Sequence, residues 1–262
     1  MDTTNLERFV DLEAYPLQSV KFVQKCNETL NTEGVLTLKN FLNWETIEQL
    51  VKEAKENQHK AFYSNSTHNI YLTPQDKNFP EDHIFNTQIT SSKGCITTDQ
   101  IPDSSALKTI YKSDIFKHFI AEIVGEKILY EYEDPLSSIN VHYAKEGQEL
   151  GWHFDNSSFA VTLLLQKPLG GGIFEYVKNV RNSESGEMGF EEAEEIVSGR
   201  SKPSVLSIEP GTLVLFRGMN SMHRVTPTVG DRTRFLVVFA YNAKPGVSLS
   251  KSAQKTFYGR VA

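Results

Sequence analysis

The second half of the chain is a series of short runs in which apolar and polar residues alternate. After Lys127 these runs include SSINVHYA, FAVTLLLQ, TLVLF and RFLVVFAY. Turn residues separate them, such as GGG at 170–172 and Pro210-Gly211, which tolerate the tight or left-handed backbone of hairpins. Many short strands separated by turns are typical of antiparallel sandwiches and barrels. The pattern predicts a mainly β core over residues 128–245, a jelly roll or cupin-like double-stranded β-helix.

The first half of the chain predicts helices that buttress this core. A helical rhythm from Ser19 to Leu30 stops before Gly34, and Asn43 is placed to cap a second helix. Another helical run, 104–124, is interrupted near Ser113. Residues 58–101 show no sustained period, so we expect an irregular segment there, with 85–99 either a lid or an idle surface loop. We therefore predict one domain over 1–262, with helical support and lid in 1–127.

Composition excludes several classes of protein. The chain has 262 residues, with 27 Lys and Arg against 33 Asp and Glu, giving a formal charge of -6 that offers no general attraction to nucleic acid or anionic lipid. Its two cysteines lie far apart, and no apolar run approaches the ~18 residues of a membrane span. We expect a cytoplasmic protein without nucleic-acid or membrane partners, either monomeric or a homodimer.

The stretch GWHFDN carries the first functional signal. In a strand, His153 and Asp155 would point to the same face and could reach one ion, while Phe154 would point away. His223, 70 residues later, is the natural third ligand. Two imidazoles and one carboxylate on one face of a metal suit non-haem Fe(II), whereas zinc would more often complete a tetrahedral set. A histidine near an acid is by itself a weak signal, because such pairs also arise by chance.

Two arginines strengthen the metal hypothesis. Arg232 and Arg234 follow His223 by nine and eleven residues and lead into the apolar run FLVVFAY. An arginine that begins a buried strand needs an anionic partner, and a carboxylate fits its planar fork. For one of the two, an ion pair at the rim of the fold is an equally good explanation.

Together, HxD, the distal histidine, the following arginine and the GG hairpin resemble the iron(II) and 2-oxoglutarate-dependent dioxygenases over about 128–242. Within that superfamily, DPLSSINVHYAKEGQELGWHFDNSSFAVTLLLQ and GGGIFEYV are most similar to the radical halogenases of free basic amino acids, typified by a lysine chlorinase, and to their hydroxylase relatives. The resemblance implies that His153, Asp155 and His223 bind Fe(II), with 2-oxoglutarate and O2 as co-substrates.

The resemblance also implies roles around the metal. Arg234 would hold the distal carboxylate of 2-oxoglutarate, with Arg232 as the alternative. Tyr143 matches a position where related hydroxylases place a donor to 2-oxoglutarate, although an aromatic ring packed in the sheet explains it equally well. Halogenases have a small residue at the carboxylate position, where chloride binds. Asp155 fills that position and implies hydroxylation.

The expected reaction is hydroxylation of an unactivated C–H bond in a free amino acid, a basic one such as L-lysine, with release of succinate and CO2. Two alternatives stay open: a peptidyl or prolyl-type hydroxylase, and a metal-free binding module on the same fold. Six further residues near the motifs are candidates for substrate contacts, although each has a common structural explanation as well: Glu133, Asp134, Asn140, His142, Trp152 and Asn242.

Overall fold

The computed structural model describes residues 5–262, and its centre is one curled antiparallel sheet. Its helices are α1 (Val20–Glu33), α2 (Trp44–Asn57), α3 (Ala106–Lys112), α4 (Asp114–Val124), α5 (Phe190–Val197) and α6 (Lys251–Tyr258). Its strands are β1 (Val35–Leu38), β2 (Phe62–His68), β3 (Ile89–Ile96), β4 (Ile139–Ala144), β5 (Leu150–His153), β6 (Ala160–Gln166), β7 (Gly170–Gly171), β8 (Phe174–Val177), β9 (Ser204–Leu206), β10 (Leu213–Phe216), β11 (Met222–Val225), β12 (Thr228–Val229) and β13 (Arg234–Phe239).

The strand order confirms the predicted mainly β jelly-roll class. The order is β1-β10-β6-β13-β4-β3-β5-β11-β8-β9, β2 pairs with β3, and β12 and β7 form a small separate sheet. All these pairings are antiparallel. Neighbours in the sheet are often far apart in sequence, which wraps the chain around an interior.

Strand alternation divides each central strand between two environments. On β13, Phe235 and Val237 are 1% and 0% exposed and join the main core under the helices. Leu236 and Val238 point the other way and line a cavity. Each large apolar side chain fully buried in such a core contributes roughly 1.5–3 kcal/mol. The helices therefore stabilise one face of the sheet and leave the other face for a site.

The helix ends follow the local sequence signals. Ser19 caps α1 through the backbone N–H of Phe22, and Gly34 ends it in the left-handed conformation with φ 72°. Ser113 ends α3 and caps α4, which confirms the predicted interruption. In residues 5–262 there is no helix both long and apolar enough to cross a membrane.

The irregular segment expected over 58–101 is the main error of the sequence interpretation. Two of its parts, 62–68 and 89–96, form the β2–β3 hairpin, and β3 lies between β4 and β5. The proposed lid, 85–99, is thus largely a sheet strand. The segment 58–101 shows little apolar alternation because the residues of β2 are mostly exposed or half-buried. Conversely, residues 128–132, at the start of the predicted β core, form no strand and make a single β-bridge, between Tyr130 and Asn242.

Candidate metal and cofactor site

Three side chains predicted from sequence converge where β5 and β11 lie side by side. His153 ends β5 and pairs across the sheet with His223, and their ring centroids are 4.2 Å apart. The Asp155 Oδ1 atom lies 3.8 Å from His153 Nε2 and 3.5 Å from His223 Nε2. One ligand atom from each residue lies within 4.8 Å of the others. This spacing allows all three to bind a single ion.

Backbone contacts aim both imidazoles at that point. In each ring, Nδ1 forms a hydrogen bond with the backbone carbonyl two residues earlier. The distance is 2.7 Å from His153 to Gly151 and 3.0 Å from His223 to Ser221. A carbonyl can only accept, so Nδ1 carries the proton and Nε2 keeps its lone pair for a metal. This use of the second ring nitrogen is common for histidine ligands.

The protonation of His153 and Asp155 also suits a metal. Burial, followed by the proximity of His223, lowers the pKa of His153 to about 3. Burial alone would raise the pKa of Asp155, but the two histidines outweigh it and the pKa is lowered. The groups are therefore in their ligand forms at neutral pH, a neutral imidazole and a carboxylate.

Asp155 lies in a space shaped for its carboxylate. β5 ends before it, and its backbone N–H donates to the Gly218 carbonyl at 3.0 Å. A Cβ atom on Gly218 would come within 1.9 Å of Asp155 Oδ2. That oxygen is buried and has no hydrogen-bond partner within residues 5–262. A buried carboxylate oxygen without a donor is costly, and a metal ion at the triad would compensate the charge.

The triad opens into a cavity of about 260 Å³ inside the curled sheet. Most of its walls are apolar or aromatic, supplied by Leu150, Phe159, Ala160, Phe174, Ile208, Val214, Phe216, Val225, Leu236, Val238 and Phe239. Polar groups are few, which is the usual composition of a small-molecule site. Besides the triad, the charged or titratable side chains at its edge are Lys93, His142 and Arg234, with Tyr132 and Tyr241.

The two candidate arginines occupy different places. Arg234 begins β13, is 6% exposed and lines the cavity. Its guanidinium makes no hydrogen bond or ion pair with the residues that the structure describes, and burial lowers its pKa to about 10. Arg232 is exposed and donates to the Pro168 carbonyl at 3.1 Å. Only Arg234 therefore faces the cavity with its donors free for an anion.

Comparison with known proteins assigns the family. A family model described as halogenase D matches residues 18–258, which is nearly the whole chain. The chain belongs to the halogenase D family. A search of curated proteins finds no match.

This halogenase D family member shares its fold with solved structures, some of which are described as 2-oxoglutarate–iron oxygenases. An oxidoreductase of the 2OG-Fe(II) oxygenase family from Burkholderia pseudomallei is 14% identical, with a TM-score of 0.54 over 86% of this chain and 93% of that one. A prolyl-4-hydroxylase from Pseudomonas putida is 12% identical, with a TM-score of 0.52 over 85% and 99%. HygX from Streptomyces hygroscopicus, solved with nickel, 2-oxoglutarate and hygromycin B, is 14% identical, with a TM-score of 0.56 over 87% and 90%.

Tyr143, in contrast, lies outside the cavity of this family member. Its ring is fully buried in the core, and its hydroxyl donates to the Ala54 carbonyl at 2.9 Å. Its neighbour His142 faces the cavity instead. The expected contact of Tyr143 with 2-oxoglutarate is thus corrected by strand parity, and the packed aromatic ring is the explanation that fits.

Of the six candidate substrate residues, His142 alone lines the cavity. The Asp134 carboxylate accepts from the backbone N–H groups of Leu136 and Leu249, and Asn140 accepts from the Tyr258 hydroxyl. The other three are placed as follows: Glu133 is exposed, Trp152 packs beneath the Arg224 guanidinium, and Asn242 pairs through its backbone with Tyr130. Five of the six therefore lie outside the cavity lining.

Sequence reasoning missed one charged residue of the cavity. Lys93 lies on β3, in the segment expected to be irregular, and its Nζ lies 3.3 Å from His142 Nε2. Its local sequence, ITSSKGCI, has no recognisable motif, and only the pairing of β3 with β4 brings it to the site.

Proposed function

We propose that the protein is an Fe(II)- and 2-oxoglutarate-dependent hydroxylase that acts on an unactivated C–H bond of a free amino acid. The observation that carries the proposal is the complete set of His153, Asp155 and His223 around one point. Two imidazoles and a carboxylate on one face leave positions open for a chelating co-substrate and O2, and this donor set is typical of non-haem Fe(II) oxygenases. When bound, iron with 2-oxoglutarate and O2 supplies the oxidising power, releasing succinate and CO2.

The chain's own residues position and shield the reaction. The backbone carbonyls on each Nδ1 fix the direction of both imidazoles, and Gly218 leaves room for the carboxylate. Arg234 binds the distal carboxylate of 2-oxoglutarate through its unpaired guanidinium. The apolar walls exclude water and offer few alternative polar groups to an oxidising centre.

Asp155 supports hydroxylation rather than halogenation, although the family carries a halogenase name. A halide must occupy a metal position that no protein ligand fills. Here Asp155 Oδ1 lies within 4 Å of both ligating nitrogens, so the carboxylate competes for that position. We therefore expect transfer of oxygen to the substrate even when chloride is present.

The resemblance favours a basic amino acid such as L-lysine as the substrate. The cavity, however, has a single carboxylate among the described residues, Asp155, and the metal would engage it. A second ammonium group of the substrate would find no counter-charge there. The proposal is therefore kept at the level of a free amino acid, with L-lysine in the test.

The test is a screen of free amino acids with the iron-loaded enzyme, 2-oxoglutarate, O2 and chloride. We expect succinate release that depends on one amino acid and a product heavier by one oxygen, while His223→Ala gives neither. A product heavier by one chlorine in place of one hydrogen would refute hydroxylation. Turnover of a prolyl peptide but of no free amino acid would replace the substrate proposal. Failure of the wild-type protein to bind iron would favour the metal-free module.

A further inference from the structure

The ammonium group of Lys93 faces the cavity without a carboxylate partner. Its Nζ lies 3.3 Å and 3.4 Å from the two ring nitrogens of His142. Within residues 5–262 no carboxylate lies within ion-pair distance of it. Burial lowers the pKa of Lys93, and the more distant Asp155 charge, which the metal would engage, opposes this only in part. A desolvated ammonium group of this kind is stabilised by an anion that enters the cavity.

His142 cannot supply the missing negative charge. Burial, followed by the charges of Lys93 and Arg234, holds the pKa of His142 well below its usual range. The ring is therefore neutral and can accept one hydrogen bond at most, whereas an ammonium group has three donors. At least two Lys93 donors are left for a ligand, and the His142 ring holds the ammonium group towards the cavity.

The summed charge of the cavity favours an acid as the ligand. Among the described residues that line it, Asp155 contributes one negative charge, and Lys93 and Arg234 contribute two positive charges. Fe(II) and the 2-oxoglutarate dianion cancel each other. One positive charge remains, so a substrate carboxylate is attracted and an additional substrate ammonium group is repelled.

Lys93 and Arg234 belong to different strands, which gives the cavity two separate cationic points. Arg234 pairs with Ala144 of β4, and β3 lies on the other side of β4. The pairing of Gly94 with Tyr143, continued by one residue, places Lys93 level with Ala144. The two cations therefore extend from strands on opposite sides of β4, and each can take a different carboxylate.

We infer that Lys93, supported by His142, binds the carboxylate of the substrate, and that the side chain of that substrate is uncharged or acidic rather than cationic. The inference rests on the proposed function, because it assigns Arg234 to 2-oxoglutarate. The inference favours amino acids with side chains that fit between apolar walls. It also makes Lys93 a substrate-binding residue, although no sequence motif indicated this role.

The experiment compares binding in the absence of O2, so that it does not depend on turnover. Fe(II) and 2-oxoglutarate give a visible charge-transfer absorption that reports cofactor binding, and its perturbation reports ligand binding nearby. The probes are L-norleucine, its carboxamide L-norleucinamide, and L-lysine, which adds an ammonium group to nearly the same chain. The variants are Lys93→Met, Lys93→Arg and Arg234→Met, with Lys145→Met as a control at an exposed lysine.

We expect wild-type protein to bind L-norleucine more tightly than the amide or L-lysine, by roughly tenfold to a hundredfold for one charge-assisted contact. Lys93→Met should lose this preference and keep the wild-type affinity for 2-oxoglutarate, which also shows that it folds. Lys93→Arg should retain part of the preference, and Lys145→Met all of it. Arg234→Met should instead weaken 2-oxoglutarate binding.

Three results would overturn the inference. Lys93→Met could weaken 2-oxoglutarate binding as much as Arg234→Met does, or wild-type protein could bind L-lysine more tightly than L-norleucine. The third such result is that none of the three probes changes the absorption. Each of these leaves the hydroxylase proposal intact, provided that the wild-type complex with iron and 2-oxoglutarate forms. Failure of that complex to form would refute the hydroxylase proposal itself.

Discussion

Replacement of Gly218 by alanine should disable the metal site without removing a ligand. A Cβ atom at this position would lie 1.9 Å from Asp155 Oδ2 and 2.6 Å from Asp155 Cγ. Ordinary contacts between such atoms are about 3.5 Å, so the carboxylate must move by roughly 1.5 Å. Metal–ligand distances tolerate changes of only about 0.2 Å. The displaced carboxylate would therefore no longer complete the site.

The surroundings leave the carboxylate little freedom to adapt. The Asp155 N–H donates to the Gly218 carbonyl at 3.0 Å, so the two segments cannot easily separate. The Arg181 guanidinium donates a hydrogen bond to the Asp155 backbone carbonyl at 3.3 Å, and its Cζ lies 4.3 Å from the Phe154 ring centroid. Rotation of the side chain would carry Oδ1 away from the histidines. We expect Gly218→Ala to weaken metal binding at least tenfold to a hundredfold, roughly the effect of disturbing a ligand's support.

The assay is titration with Co(II), a spectroscopic substitute for Fe(II), under anaerobic conditions. Gly170→Ala is the matched control, because its Cβ would come no closer than 3.4 Å to a neighbour, the side chain of Val229. In an Asp155→Gly background, Gly218→Ala should have no further effect on metal affinity, since the clash is gone. A folded Gly218→Ala protein that binds Co(II) within twofold of wild type would refute the steric argument.

Three further predictions follow from the placement of single side chains. Arg234→Met should raise the Kd for 2-oxoglutarate roughly tenfold or more, since it removes a charge-assisted pair, whereas exposed Arg232→Met should leave it unchanged; equal effects in a binding titration would contradict the assignment. Tyr143→Phe should leave that Kd unchanged and lower the free energy of unfolding by about 1 kcal/mol through one lost hydrogen bond, measured by urea denaturation. Arg260→Ala should lower the free energy of unfolding at pH 7 by about 1 kcal/mol. The Arg260 hydrogen bonds outweigh burial and lower the pKa of Asp99. The stabilisation by Arg260 is therefore present above the usual carboxyl pKa and disappears as the pH falls through the lowered pKa of Asp99. A difference in unfolding free energy between wild type and Arg260→Ala that persists in acid would contradict this prediction.

The metal triad could be predicted because two of its three residues are recognisable from their spacing in the sequence. His153 and Asp155 stand two residues apart in an extended segment, and a distant histidine at the start of a strand is a recognisable partner. Even so, the strand ends at His153, and Asp155 keeps its direction through a contact with the segment around Gly218 rather than through the sheet ladder. The three side chains converge as predicted. The direction of Asp155, however, does not come from strand alternation, because β5 ends at His153.

The sequence around Tyr143 contains a signal for the direction of its side chain. In INVHYA the apolar residues fall on alternate positions, Ile139, Val141 and Tyr143, and all three are buried in the core. That alternation places His142 on the opposite, cavity face. Chemical similarity to a hydroxyl donor was a weaker guide than the period of the strand.

Lys93 and Gly218 show what a single sequence does not contain. Lys93 reaches the cavity because β3 pairs with β4, whose nearest residues are more than forty positions later in the chain. Gly218 matters because its backbone approaches Asp155, more than sixty positions earlier. Neither requirement leaves a local pattern, because each arises from the packing of segments that only the complete topology brings together.

The environment of Asp155 supports the proposal that this member of a family with a halogenase name is a hydroxylase. A surface acid that had taken this position by chance would need neither the clearance at Gly218 nor the backbone contact that sets its direction. Its Oδ2 atom is nevertheless buried without a donor, a cost that is explained if the carboxylate acts on a cation. The Arg181 contact with the Asp155 carbonyl restrains the same short segment. These features together shape the site for a carboxylate ligand, and a metal position held by that ligand is closed to halide.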